Sequence, residues 1–151
     1  MKKVRYILIA VFTLALLASC SKTDSITGPG SGTVGNYIVK IDSYELTKDA
    51  YGKDAVIINY EWGNNGKKAG FFYVISAKVY QNGAECKSAI ITDDTIYHGS
   101  DALKSIKRGE IQKVQLAYVL QDTKTPLDVE VTEAANTNAD APKVTQTFDI
   151  A

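Results

Sequence analysis

The chain has 151 residues, with 17 basic and 17 acidic side chains, 45% hydrophobic content, two cysteines and one histidine. That length suits a single domain, and a formal net charge of zero lacks the basic excess of a nucleic-acid binder. Two cysteines cannot build a scaffold of several disulfides.

Residues 1–19 read as an address. Lys2, Lys3 and Arg5 lead into residues 6–18, an apolar run broken only by Thr13. A basic segment followed by a short apolar one is a secretory signal peptide. A membrane-spanning helix would need about 20 apolar residues. The run ends Leu17-Ala18-Ser19-Cys20. Small residues suit the narrow pocket of a signal peptidase, and a cysteine at the next position resembles the lipobox of bacterial lipoproteins. That resemblance implies cleavage between Ser19 and Cys20, a diacylglycerol on the Cys20 thiol, and often an acyl chain such as palmitate on the new amino terminus. At about 0.8 kcal/mol per buried CH₂, two or three chains hold a protein to a bilayer durably. The expectation is an extracytoplasmic protein whose membrane contact is a covalent lipid and which needs no cofactor. Loss of residues 1–19 leaves 151 − 19 = 132 residues with 14 basic and 17 acidic side chains, a net of −3. An anionic surface does not attract such a domain, so it is expected to stand off.

Residues 20–36 are rich in Gly, Ser, Thr and Pro, with Ile26 and Val34 the only aliphatic side chains. So little apolar surface does not offset the entropy of ordering, which predicts a flexible tether with a reach of about 20–25 Å.

Residues 37–151 carry the signature of strands. Val56, Ile58, Tyr60 and Trp62 alternate with Ile57, Asn59 and Glu61. Phe71, Tyr73, Ile75, Ala77 and Val79 alternate with Phe72, Val74, Ser76, Lys78 and Tyr80. Val114, Leu116, Tyr118 and Leu120 form a third set, Leu127, Val129 and Val131 a fourth, Phe148 and Ile150 a fifth. Period two puts each set on one face of a sheet. The expected core joins Val114, Leu116, Tyr118 and Leu120 to the Phe71/Tyr73/Ile75 face. Turn chemistry separates the runs at Gly52, at Gly63-Asn64-Asn65-Gly66, at Asn82-Gly83 and at Arg108-Gly109-Glu110. Asn-Gly between apolar runs predicts a tight hairpin, because both residues accept positive φ. Residues 100–107 have room for a short helical turn. The prediction is an all-β antiparallel sandwich.

The series Tyr44-Glu45-Leu46-Thr47, Tyr51-Gly52, Tyr60-Glu61-Trp62-Gly63-Asn64-Asn65, Val79-Tyr80-Gln81-Asn82-Gly83, Lys107-Arg108-Gly109-Glu110, Ala117-Tyr118-Val119-Leu120 and Thr125-Pro126-Leu127-Asp128-Val129-Glu130-Val131 resembles an uncharacterised family of bacterial lipoproteins. Its members carry an immunoglobulin-like β-sandwich similar to immunoprotective extracellular antigens. Arg108 stands where the family often has proline. The resemblance implies an immunoglobulin-like fold and a surface location, and brings no catalytic residues.

The residues give chemistry little to work with. Cys86 and His98 are the single free thiol and the single imidazole of the mature chain, short of a zinc ligand set. Each more readily serves as a packed or solvated side chain than as half of a nucleophile–base pair. Asp93, Asp94 and Asp101 could offer oxygens to Ca²⁺, but without the spacing of a regular calcium loop. Glu61 beside Trp62 is the one acid next to a sugar-stacking ring, and alternation sends them to opposite faces. Among the tyrosines, Tyr60, Tyr73 and Tyr118 are expected inside. Tyr51, Tyr80 and Tyr97 fall on turns or outward positions and form the candidate binding patch. The leading expectation is a non-enzymatic envelope lipoprotein that binds or scaffolds an envelope protein or ligand. A small-ligand or carbohydrate-binding module comes second and a hydrolase third.

Overall fold

Alternating apolar residues and glycine turns resolve into eight strands in a computed structural model that describes residues 22–151. The predicted signal peptide, its cleavage position at Ser19 and the lipidation site Cys20 lie outside the described residues. The strands are β1 (Ser31–Val34), β2 (Tyr37–Lys48), β3 (Asp54–Asn64), β4 (Ile75–Gln81), β5 (Ala84–Glu85), β6 (Ile111–Val119), β7 (Leu127–Glu133) and β8 (Lys143–Phe148). They form two four-stranded sheets, ordered β1-β2-β3-β6 and β5-β4-β7-β8, and every pairing is antiparallel. This is the predicted all-β sandwich. Among the described residues no helix is long and apolar enough to cross a membrane.

The core lies between the sheets and follows the period-two reading on most strands. Val56, Ile58, Tyr60 and Trp62 of β3 are buried, as are Val114 and Tyr118 of β6 and Leu127, Val129 and Val131 of β7. Leu116 is only partly buried against this cluster. The rings of Tyr60 and Trp62 meet Phe72 at 5.4 and 5.8 Å between centroids, in tilted and edge-on arrangements. Most turns also fall where expected, but β3 runs on through Gly63 and the buried Asn64, so the loop expected from Gly63 starts only after Asn64. Asn82 and Gly83 take φ of 48° and 74° and close the β4–β5 hairpin. Gly52 and Gly109 each sit at φ of 80°. The helical turn expected within residues 100–107 is a 3-10 turn at Gly99–Leu103.

Two further expectations fail. The run from Phe71 does not begin as a strand, because Phe72–Val74 is a 3-10 turn and β4 starts only at Ile75. A turn of three residues breaks period two. Phe72 is therefore buried, while Phe71 and Tyr73 are 51% and 57% exposed. Tyr73 is not a core residue, and the residues of this stretch that join the core are Phe72, Ile75 and Val79.

The tether is the second correction. Within the predicted residues 20–36, Lys22–Ser25 forms a 3-10 turn and β1 pairs with β2. Thr23, Ile26 and Val34 are buried. Gly63 of β3 makes room for this segment: a Cβ there would meet Thr23 Cγ2 at 2.7 Å and Ile26 Cδ1 at 3.3 Å. The Thr23 hydroxyl donates to Asn65 Oδ1 at 2.7 Å. The folded unit thus begins by Lys22 rather than Tyr37.

These strands give the sandwich two ends. The near end holds the Lys22–Ser25 turn, the β1–β2 turn and residues 65–70 and 104–110. The far end holds residues 49–53, the Asn82-Gly83 turn and residues 120–126. Residues 87–106 run from far end to near end along the β6 edge. Ala89 N–H donates to Ala117 O and Ala50 N–H to Ile90 O, while farther along the Gln112 side chain donates to Asp101 O.

Candidate functional site

Among the described residues the most exposed tyrosine sits at the far end. Asp49 builds its turn: Asp49 Oδ1 accepts the N–H groups of Tyr51 and Lys53 at 2.9 and 2.8 Å, and Gly52 supplies the positive φ. The turn pushes Tyr51 outward, to 74% exposure. Behind it opens a cleft of about 400 Å³ floored by Cys86, Val119 and Leu120 and flanked by Ile90, Lys53 and Lys87. Ile90 is itself 56% exposed. The cleft is apolar at its base and charged at its rim, the usual make-up of a small recognition site, and its volume lies within the range of small-ligand pockets, about 300–1,000 Å³.

The other two tyrosines of the predicted patch lie elsewhere. Tyr80 is on β4, paired with Glu85 and Asp128 across neighbouring strands. Tyr97 precedes the Gly99–Leu103 turn, its ring against Gly99. Burial raises its phenol above the ordinary value, with the nearby Tyr73 adding to the shift. Neither lines the far-end cleft. The patch therefore reduces to Tyr51 with Ile90. Sequence reasoning missed Ile90; an Ile90-Ile91 pair inside an otherwise polar stretch was the available signal.

Cys86 and His98 do not meet in any cleft. Cys86 is buried in the core cluster and lines the far-end cleft, where burial pushes its thiol up and keeps it protonated. His98 lines a separate cleft of about 260 Å³ on the outer face of the first sheet.

That second cleft collects Asp42, Glu61, Asp101 and Lys113. Its carboxylates are matched by lysines. Asp42 pairs with Lys40 at 2.5 Å and Asp101 with Lys104 at 2.6 Å. Glu61 stands in register between Lys40 on β2 and Lys113 on β6. Trp62 is buried on the opposite face, as the alternation required.

The three aspartates weighed for calcium do not converge. Asp93 Oδ1 accepts the N–H and hydroxyl of Thr95 at 2.9 and 2.6 Å, and these bonds lower its pKa. Asp101 is held by Lys104. Among the described residues no three His, Cys, Asp or Glu side chains are placed to share a metal ion.

Comparison with known proteins agrees with this layout. Residues 19–133 match the family model of a domain of unknown function, DUF5067. No protein of curated function matches the chain. Among solved structures, a candidate lipoprotein (ycdA) from Bacillus subtilis superposes with a TM-score of 0.62 at 16% identity. The alignment covers 82% of this chain and 39% of that one, so this chain spans about two fifths of its length. A candidate lipoprotein from Staphylococcus aureus gives 0.61 at 11% identity, covering 80% and 92% of the two chains. A protein from Enterococcus faecalis gives 0.58 at 17% identity, covering 85% and 96%. At these identities the likeness is one of fold.

Proposed function

The chain belongs to the DUF5067 family, and from that premise we propose that it is a non-enzymatic lipoprotein of the bacterial envelope. Acylated Cys20 holds it to the membrane, and the Tyr51 cleft takes an envelope partner. The observation that carries this reading is the sequence Leu17-Ala18-Ser19-Cys20 after a basic start and an apolar run. The fold supports it. The chain reaches the domain at the near end, where Thr23 is bonded to Asn65, and Tyr51 and Ile90 are exposed at the opposite end. A protein anchored at one end offers its partner the other. The candidate lipoproteins that share the fold support the location.

The sandwich reads as immunoglobulin-like. With β2, β3 and β6 in one sheet and β4, β7 and β8 in the other, the chain changes sheets between β3 and β4, β5 and β6, and β6 and β7. Strands A, B and E against C, F and G follow the same course in that fold. The proposed likeness to immunoprotective extracellular antigens rests on the sequence series within residues 44–131 and names no ligand.

A small-ligand module is the second reading, favoured by the volume and apolar floor of the far-end cleft. Hydrolysis ranks third, because the carboxylates of the other cleft face lysines. The deciding experiment replaces Cys20 with serine and follows the protein into detergent phase. Cys20→Ser should leave the precursor unprocessed or release an unlipidated chain into the aqueous phase. A processed Cys20→Ser protein still in the detergent phase would defeat the lipoprotein reading.

A further inference from the structure

The near end carries a cationic cleft that the proposed function does not use. Lys67 and Lys68 come from the loop after β3, and Arg108 from the loop before β6. Together with Asn36, Tyr37 and Asn65 they line a cleft of about 450 Å³ that has no carboxylate in its lining. None of the five ion pairs among the described residues involves Lys67, Lys68 or Arg108. Glu110 and Glu133 also lie at this end, outside that lining: the Glu110 carboxylate accepts the Lys107 N–H at 2.7 Å, and the Glu133 carboxylate stands against Gly35 in the β1–β2 turn.

The two basic loops are tied together by backbone. Asn64 is fully buried, and its side-chain amide donates to Lys68 O and Ile106 O at 2.8 and 3.1 Å. Its Oδ1 accepts the Gly66 N–H, and its own carbonyl accepts the Gly109 N–H at 2.6 Å. Gly70 and Ile106 exchange a pair of hydrogen bonds across the same junction. The loops that carry the three cations are therefore held side by side on a fixed frame. The amino-terminal chain reaches the domain at this same place, since Asn65 lines the cleft and accepts the Thr23 hydroxyl. Cys20 stands three residues before Thr23.

We propose that Lys67, Lys68 and Arg108 form a headgroup-docking face that seats the near end of the lipid-anchored protein on an anionic phospholipid surface. The proposal rests on the Cys20 reading for its geometry. With residues 22–26 folded onto β3, the domain has no long stand-off, and an anchor at Cys20 brings this end to the bilayer. The overall −3 charge does not oppose the arrangement at short range. Salt screens charges beyond about 8–10 Å, so the membrane responds to the end that faces it. Each lysine or arginine near an anionic surface contributes about a fivefold preference for contact.

The test uses the processed protein purified in detergent and reconstituted with vesicles of phosphatidylcholine alone, or with phosphatidylglycerol added. Flotation reports attachment, and deuterium uptake of residues 64–70 and 104–110 reports docking. The expected result is flotation on both vesicle types, with several-fold slower uptake in these loops on anionic vesicles only. High salt should reverse the slowing, and residues 48–53 should not change. Lys67→Glu with Lys68→Glu and Arg108→Glu should keep flotation and lose the slowing. Equal uptake on the two vesicle types, or slowing that survives the triple substitution, would overturn the docking face. Equal slowing by inorganic phosphate on neutral vesicles would also overturn it, in favour of a small-anion site. Salt-sensitive flotation on anionic vesicles alone would support docking while sinking the lipid anchor; flotation on neither would sink both.

Discussion

Gln81 shows how a single polar side chain organises the far end. It ends β4 fully buried, and its amide donates to Asp122 O and Thr125 O, both at 3.0 Å. Its Oε1 accepts the Gln121 N–H at 2.7 Å. Gln81→Leu would strip three backbone groups of their partners, and unsatisfied groups cost about 1–3 kcal/mol each when water cannot replace them. Since this loop is partly open, the expected loss is about 2–3 kcal/mol, read as a lower urea midpoint with an unchanged slope. Tyr118 supplies a pH test. Burial pushes its phenol up to about 12, against a lowering hydrogen bond with Tyr60. Burial raises Tyr60 as well. The folded state thus prefers the neutral phenol. Stability should be complete below the unfolded value near pH 10, and fall as pH rises towards 12, by about 3 kcal/mol for Tyr118. Urea titrations at about pH 9 and pH 11.5 should show about two thirds of this loss, and Tyr118→Phe should show less of it.

The elements that were legible in the sequence are those set by backbone sterics and by a single period. Asn82-Gly83 and Gly52 announced their turns because positive φ restricts the choice of residue. β3 announced its face because both neighbouring strands pair with it along its length. The Phe71–Val74 stretch misled because the run of apolar residues spans a change of period from three to two, and composition does not mark the boundary. The amino-terminal segment misled for another reason. Ile26 and Val34 are too few to signal a packed element, and the partner that receives Ile26 and Thr23 is the absence of a side chain at Gly63. The Tyr51 cleft was half legible: the turn that exposes the ring was visible, but the approach of Ile90 depends on a long loop returning past Ala50. Gly63→Val should therefore unseat residues 22–26 while sparing the inner core. A protease should cut this segment several times faster, with the main thermal transition kept. Unchanged cleavage would mean that the segment is held by contacts other than those at Gly63.

At the scale of the whole molecule, two of the three aspartates weighed for calcium have partners within the fold. Because Asp93 is engaged by Thr95 and Asp101 by Lys104, thermal melting should be the same in chelator and in excess Ca²⁺. An occupied site at a hundredfold excess of ligand over its Kd would add about 2.7 kcal/mol and move the midpoint by several degrees. Such a shift, abolished by Asp93→Asn with Asp94→Asn, would place a cation in that loop. The folded amino-terminal segment has a mechanical consequence as well. Residues 22–30 run away from the near end, and β1 turns the chain back towards it, so the segment is doubled on itself against the sandwich. In the proposed arrangement, with an anchor at Cys20 and a partner at Tyr51, a pull between them would load the Thr23–Asn65 contact and the packing on Gly63 before it reached β1. Once those contacts yield, the nine residues from 22 to 30 pay out up to about 30 Å of chain while both sheets stay intact. The fold therefore stores its own slack, released by tension and rewound when the tension falls.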